Sequence, residues 1–265
     1  MPDTRHLTLE REGHVAVVTM NRPEARNAFG AEMLVRMADA WDEIDKDPGV
    51  RVAILTGAGG HFCAGSDLKA MAGGWPDDQW SARFKSDSDL HWRALLRHYS
   101  LKKPLIAAVE GTAVAGGTEI LQGTDIRIAG KSAKFGIAEA RWGLFPLGGS
   151  TVRLRRQIPH TVAMELLLTG KHITADEALR IGLIGSVVPD GDALAEARKM
   201  AVQIASNGPL AVQAIKRSVL ETDGLPEKEA LAKELEIGWP ILSTEDAKEG
   251  PRAFVEKRKP DFKGR

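Results

Sequence analysis

The sequence predicts an α/β protein: strands joined by helical crossovers, then a helical C-terminal region. Three observations carry this. Short apolar runs bounded by turn residues recur through residues 1–200, segments of helical period separate them, and helices dominate the rest of the 265-residue chain. Connections of this kind bring successive strands back in parallel. With 43% hydrophobic residues the chain can bury a full core and still carry an appendage, placed here at residues 201–265.

His14–Met20 reads as a strand that stops at Asn21-Arg22-Pro23, where proline ends ladder pairing. From Phe29 to Asp45 the apolar residues Met33, Leu34, Met37, Ala38, Trp41 and Ile44 fall three or four apart. They make one buried helical stripe, ended by Asp47-Pro48-Gly49. Val50–Thr56, Leu105–Val109 and Ile126–Ala129 read as further strands, with a short helix near Gly117–Leu121. Thr174-Ala-Asp-Glu177 is a capping box. Segments 192–206, 210–222 and 226–239 read as helices separated by breakers such as Asn207-Gly208-Pro209. Residues 71–99 differ, with Trp75, Trp80 and Trp92 set among charges.

Composition removes several function classes. Thirty-six basic and 36 acidic residues cancel, so the chain offers no global field to nucleic acid or to an anionic membrane. No window approaches the 18 to 20 apolar residues of a membrane span, and the N-terminal residues are polar and charged, so a soluble protein is expected. Cys63 is the single cysteine, which precludes an intrachain disulfide and favours a reducing cytoplasm. No His/Cys spacing suggests a metal.

The chemistry concentrates in two glutamates and two glycine-containing turns. Glu119 follows Ala115-Gly116-Gly117-Thr118, and Glu139 follows Phe135-Gly136-Ile137-Ala138. The turns Cys63-Ala64-Gly65-Ser66-Asp67 and Val114-Ala115-Gly116-Gly117 can aim backbone N–H groups at one oxygen. Two carboxyls and a pair of amides suit acid–base work beside a carbonyl that gains negative charge.

With these segments, the chain resembles the crotonase superfamily, also called the enoyl-CoA hydratase/isomerase family, over nearly its whole length. The resemblance rests on Asn21-Arg22-Pro23 with Asn27-Ala28, Leu55-Thr56-Gly57, Phe62 to Lys69, Lys103-Pro104 with Ile106–Val109, Phe135-Gly136 with Glu139, and the closing Glu249-Gly250 and Ala253–Arg258. It implies a superhelix of ββα turns and a C-terminal helical region that packs in a homotrimer, often a dimer of trimers. It also implies an acyl-CoA thioester substrate whose carbonyl accepts the N–H groups of Ser66 and Gly116. Glu119 would hold and activate a water for C3 of a trans-2-enoyl thioester, and Glu139 would supply the proton at C2. Hydration is redox-neutral, so no cofactor is expected beyond the coenzyme A carried by the substrate. Contacts to CoA or acyl group fall to Arg26, Ala28, Ala64, Asp67, Leu68, Leu147, Phe254 and Lys257, with Lys263 a further basic candidate. One departure stands out: Leu147 follows Pro146 where hydratases often have glycine. Bulky acyl groups, steroid side chains included, fit this reading.

Other readings are weaker. Gly57-Ala58-Gly59-Gly60 invites a dinucleotide loop, but Phe62 stands where that motif needs glycine, and Tyr99 to Lys103 matches a dehydrogenase spacing only by coincidence. Cys63 sits in an apolar run without a visible base and reads as packing. Two rivals keep the same pocket: a Δ3-Δ2 isomerase, which needs one carboxyl as shuttle, and a non-catalytic acyl-CoA binder.

Overall fold

The computed structural model describes residues 5–265. Its strands are β1 (Leu7–Glu12), β2 (Val15–Met20), β3 (Val52–Gly57), β4 (Leu105–Val109), β5 (Thr112–Val114), β6 (Ile126–Gly130), β7 (Lys134–Gly136), β8 (His172–Thr174) and β9 (Ser186–Val188). The helices of the core are α1 (Ala31–Lys46), α2 (Leu68–Gly73), α3 (Gln79–Ser86), α4 (Leu90–Ala94), α5 (Gly116–Leu121), α6 (Ser150–Gln157), α7 (His160–Thr169), α8 (Ala175–Arg180) and α9 (Ala193–Ala205). The chain closes with α10 (Pro209–Thr222), α11 (Glu227–Gly238) and α12 (Glu245–Val255).

A six-stranded sheet runs β1-β2-β3-β4-β6-β9, parallel except for the β1–β2 hairpin. A three-stranded sheet, β5-β7-β8, lies beside it. After β4 the chain enters the small sheet as β5, crosses through α5, returns to the large sheet as β6, and enters the small sheet again as β7. Because β4 pairs with β6 and β5 with β7, both in parallel, each turn of chain lies against the last. This is the superhelical winding that the resemblance implies. It brings the ends of β5 and β7, and so Glu119 and Glu139, into neighbouring turns.

Period-2 alternation sorts the large sheet between two cores. Val15, Val17, Val52, Ile54, Ile106, Ala108 and Ile128 face α9, whose Ala193, Ala197, Ala201 and Ala205 form a stripe of small residues that lets the helix sit close to the sheet. This stripe continues on both sides of residue 200, the end expected for the core. Ala16, Val18, Ala53, Leu55, Leu105, Ala107 and Val109 face the main core with the α1 stripe, all six of its predicted apolar residues being buried. Trp41 Nε1 donates to Ala94 O at 3.0 Å and fastens α1 to α4. Thr174 caps α8 by accepting the Glu177 N–H at 3.2 Å, as the capping box predicts.

Candidate active site

Three backbone segments converge on the site. Residues 62–66 run alongside β5: Phe62 N–H donates to Glu110 O, Cys63 N–H to Thr112 O and Val114 N–H to Cys63 O, at 2.8, 2.8 and 3.0 Å. Phe29 N–H donates to Gly65 O and Asp67 N–H to Phe29 O, fixing the other side of the same strip. The Ser66 and Gly116 N–H groups are left out of these ladders and donate to no acceptor among the described residues. Gly65 (φ +86) makes their approach possible. A Cβ there would stand 2.8 Å from Ala115 Cβ and 3.0 Å from Gly116 N. Ala115 itself holds φ 51 and ψ −128, a conformation costly for a residue with a Cβ. Its N–H donates to Gly136 O at 2.7 Å, which holds that peptide in place.

Glu119 sits on α5. Thr118 positions the helix, donating through Oγ1 to Ala113 O and accepting from Gly136 N–H, so β5, β7 and α5 are tied by one side chain. The buried Glu119 carboxylate accepts the Gly148 N–H on Oε2 at 3.0 Å and the Ser150 N–H on Oε1 at 3.3 Å. Burial raises its pKa and these N–H groups oppose the rise. Glu139 starts a short 3-10 helix, Glu139–Trp142, directly after the β7 turn. It is buried, and its Oε2 has no hydrogen-bond partner. Burial and the facing Glu119 push its pKa up to about 7.

Both carboxyls, Ser66 and Gly116 line one cavity of about 500 Å³. Ala64, Leu68 and Leu147 line it too, together with Met71, Trp92, Trp142 and Phe145. Several of these apolar side chains are exposed: Trp142 is 67% and Phe145 63% accessible, so they serve the cavity mouth rather than the core. Leu147, the departure in the sequence, adds its side chain to this rim, while the next residue supplies the amide. A Cβ at Gly148 would collide with the Glu119 carboxylate, so glycine is required one position later than expected.

The remaining predicted contacts lie outside the cavity lining. Arg26 is exposed with φ 49, and its carbonyl accepts the Ala64 N–H at 3.0 Å. Ala28 is buried. Asp67 caps α2 and pairs with Arg22 at 2.7 Å. Phe254, Lys257 and Lys263 lie on or after α12, with Phe254 84% exposed. Sequence reading overlooked the Gly148 and Ser150 amides, and the rim residues Trp142 and Phe145.

The weaker motifs resolve as structure. Asn27 Nδ2 donates to Ala58 O and His61 O, pinning the Gly57–Gly60 loop. Tyr99 donates to Asp45, and the Lys103 ammonium is used up on the Ile44 and Asp47 carbonyls at the end of α1. Burial pushes the Cys63 thiol up to about 12, which removes it as a nucleophile near neutrality. Among the described residues no cluster of His, Cys, Asp and Glu can hold a metal ion, and no helix is long and apolar enough to cross a membrane.

A crotonase winding with a paired-amide turn and two carboxyls at one cavity defines an acid–base protein for acyl carbonyl chemistry. The family model described as enoyl-CoA hydratase/isomerase matches residues 10–265, and the chain belongs to that family. It is 60% identical over 257 residues to enoyl-CoA hydratase EchA19 of Mycobacterium tuberculosis, covering 97% of this chain and 96% of that one. It is 42% identical to (E)-benzylidenesuccinyl-CoA hydratase of Thauera aromatica, covering 97% and 99%. A crystal structure of an enoyl-CoA hydratase from Mycobacterium tuberculosis H37Rv superposes with a TM-score of 0.90 at 40% identity, covering 98% and 100%.

Proposed function

We propose that the protein is an enoyl-CoA hydratase, adding water reversibly across the trans-2 double bond of an enoyl-CoA to give a 3-hydroxyacyl-CoA. The observation that carries this is the contrast between the two carboxyls at one cavity: Glu119 oriented by two amides, Glu139 with a buried oxygen, Oε2, that has no partner, and able to keep a proton near neutrality. The thioester carbonyl accepts the Ser66 and Gly116 N–H groups. Glu119 takes a proton from water as its oxygen bonds to C3. The double-bond electrons move towards the carbonyl oxygen, where the amides stabilise the enolate, and collapse back as C2 takes the Glu139 proton. The proton then on Glu119 returns to Glu139 through solvent, restoring the pair. No step transfers electrons to or from an acceptor, so coenzyme A enters only as part of the substrate. A one-carboxyl isomerase would leave one of these two groups without a task.

The finer reading has three parts. The wide apolar rim suits long or ring-bearing acyl groups, so fatty-acid or steroid side-chain β-oxidation is the proposed setting. The C-terminal helices expose Leu235, Trp239, Leu242, Phe254 and Val255, a face whose burial between copies would support a trimer or a dimer of trimers. In that assembly Phe254 and Lys257 would approach a neighbour's substrate. The buried free thiol of Cys63 suits a reducing cytoplasm.

The test is loss of enoyl-thioester absorbance with purified protein and a panel of acyl groups. Glu119→Gln and Glu139→Gln should each lower kcat by about 10² to 10⁴. A double variant that still turns over at the wild-type rate would remove the mechanism. Tight binding without turnover across the panel would favour an acyl-CoA binder.

A further inference from the structure

We propose that Arg97 is a positioning residue for Glu119, acting through the Leu147–Gly148 peptide. Arg97 Nε donates to Leu147 O at 2.8 Å. The next atom group along the chain, the Gly148 N–H, donates to Glu119 Oε2 at 3.0 Å. These belong to one peptide plane. In a trans peptide the C=O and the N–H point in opposite directions, so a guanidinium holding the oxygen on one side fixes the hydrogen on the other. Rotation of that plane would withdraw the amide from Glu119.

Arg97 is itself held in three ways. Its own N–H donates to Trp92 O at 2.8 Å, and its guanidinium lies over the Trp92 ring at 5.2 Å. Arg153 Nη2 donates to both Leu96 O and Arg97 O, at 2.6 and 2.8 Å, locking the turn in which Leu96 takes φ 55. Trp92 in turn stacks on His91 at 4.7 Å, and both rings line the cavity. The arginine thus connects the wall formed by residues 91–95 to the carboxylate that handles water. It is exposed, and its contact to Leu147 joins segments 50 residues apart in sequence.

The inference rests on the hydratase reading of Glu119, and the experiment separates the two. Arg97→Gln and Arg97→Lys are made alone and in the Glu119→Gln background. Arg97→Gln should lower kcat roughly tenfold with KM within about twofold, because a misdirected carboxylate costs the reacting geometry rather than binding. It should also move the acid limb of the kcat/KM profile up by about one pH unit, since a carboxylate that loses an N–H donor ionises less readily. Glu139 and Arg153 act on this carboxylate electrostatically, and His91, Arg141 and His172 line the same cavity; all five stay in place in Arg97→Gln. Arg97→Lys, which keeps one donor, should recover part of kcat. In the Glu119→Gln background the Arg97 change should cost nothing further. Unchanged kcat and pH profile in Arg97→Gln would overturn the proposal, as would an equal loss in the Glu119→Gln background. Full activity of Glu119→Gln alone would instead overturn the hydratase mechanism.

Discussion

Glu119 and Glu139 face one cavity in opposite hydrogen-bonding states, the first with both oxygens bonded to backbone amides and the second with a buried oxygen that has none. The proposed hydration mechanism needs one proton shared between them, on Glu139 at the start of the forward reaction and on Glu119 at its end. The same total protonation serves the reverse direction. A bell-shaped pH profile follows, identical in shape for hydration and dehydration, and its limbs belong to the pair rather than to either residue. The acid limb should lie above the ordinary carboxylate value of 4.5, where Glu119 takes up a proton. The alkaline limb should fall near pH 7, where Glu139 loses its own. Measurement of kcat/KM from pH 4 to 9 checks this, and a rate that stays flat from pH 7 to 9 would contradict it.

The same buried carboxyl sets a stability difference. The folded-state pKa of Glu139 lies above the unfolded value of about 4.5, so the unfolded chain releases this proton first as pH rises. Between pH 4.5 and 7 the unfolded state therefore binds fewer protons, and the contribution of Glu139 to stability declines across that window. Glu139→Gln carries no charge at any of these values. Its melting temperature should exceed that of wild type by about 3–6 °C at pH 8, and the gap should shrink towards pH 4.5. Thermal melts of both proteins at the two pH values test the sign. A variant less stable than wild type at pH 8 would mean that Glu139 is held by interactions that favour its charge.

Trp142 and Phe145 spend most of their surface on solvent at the cavity mouth, which makes them candidates for acyl selection rather than folding. Burying a large apolar side chain against a ligand is worth about 1.5–3 kcal/mol. Trp142→Ala should therefore lower kcat/KM roughly 10- to 100-fold for a long or ring-bearing enoyl-CoA and within about threefold for a four-carbon one. Parallel kinetics on the two substrates decide it. Equal losses on both would assign Trp142 to the common parts of the substrate.

How much of this was legible in sequence depended on distance along the chain. The α1 stripe, the strands at 105–109 and 126–130 and the two glutamate turns announce themselves locally, through period and composition. The strands β5, β7, β8 and β9 have three residues each, too short to show alternation, and they exist because the superhelix lays one turn upon another. Residues 71–99 fold as short helices whose tryptophans serve different ends: Trp75 packs on Phe84, Trp80 lies under Arg36, and Trp92 lines the cavity. The carboxyls are visible, whereas the groups that orient Glu119 come from residues 29 and 31 positions away, Gly148 in the loop before α6 and Ser150 at the first position of α6. Leu147 puts a side chain where the resemblance leads one to expect glycine. The feature that acts on Glu119 is the amide of the residue after it.

Gly65 offers the sharpest test of the paired amides, because it separates backbone placement from side-chain chemistry. In the proposed mechanism Ser66 contributes only its N–H, so Ser66→Ala should keep kcat within about twofold of wild type. Gly65→Ala puts a methyl group against Ala115 and the Gly116 amide at a residue already in the left-handed region, φ +86. One or both N–H groups must then turn from the carbonyl. The loss should be about 10² in kcat, with a much smaller change in the Kd of a saturated acyl-CoA, since the amides stabilise the enolate more than the ground-state thioester. Stopped-flow kinetics and calorimetric binding of the saturated thioester provide the two numbers. Equal losses in both would make Gly65 a binding residue and leave the charge on the oxygen to be stabilised by other groups.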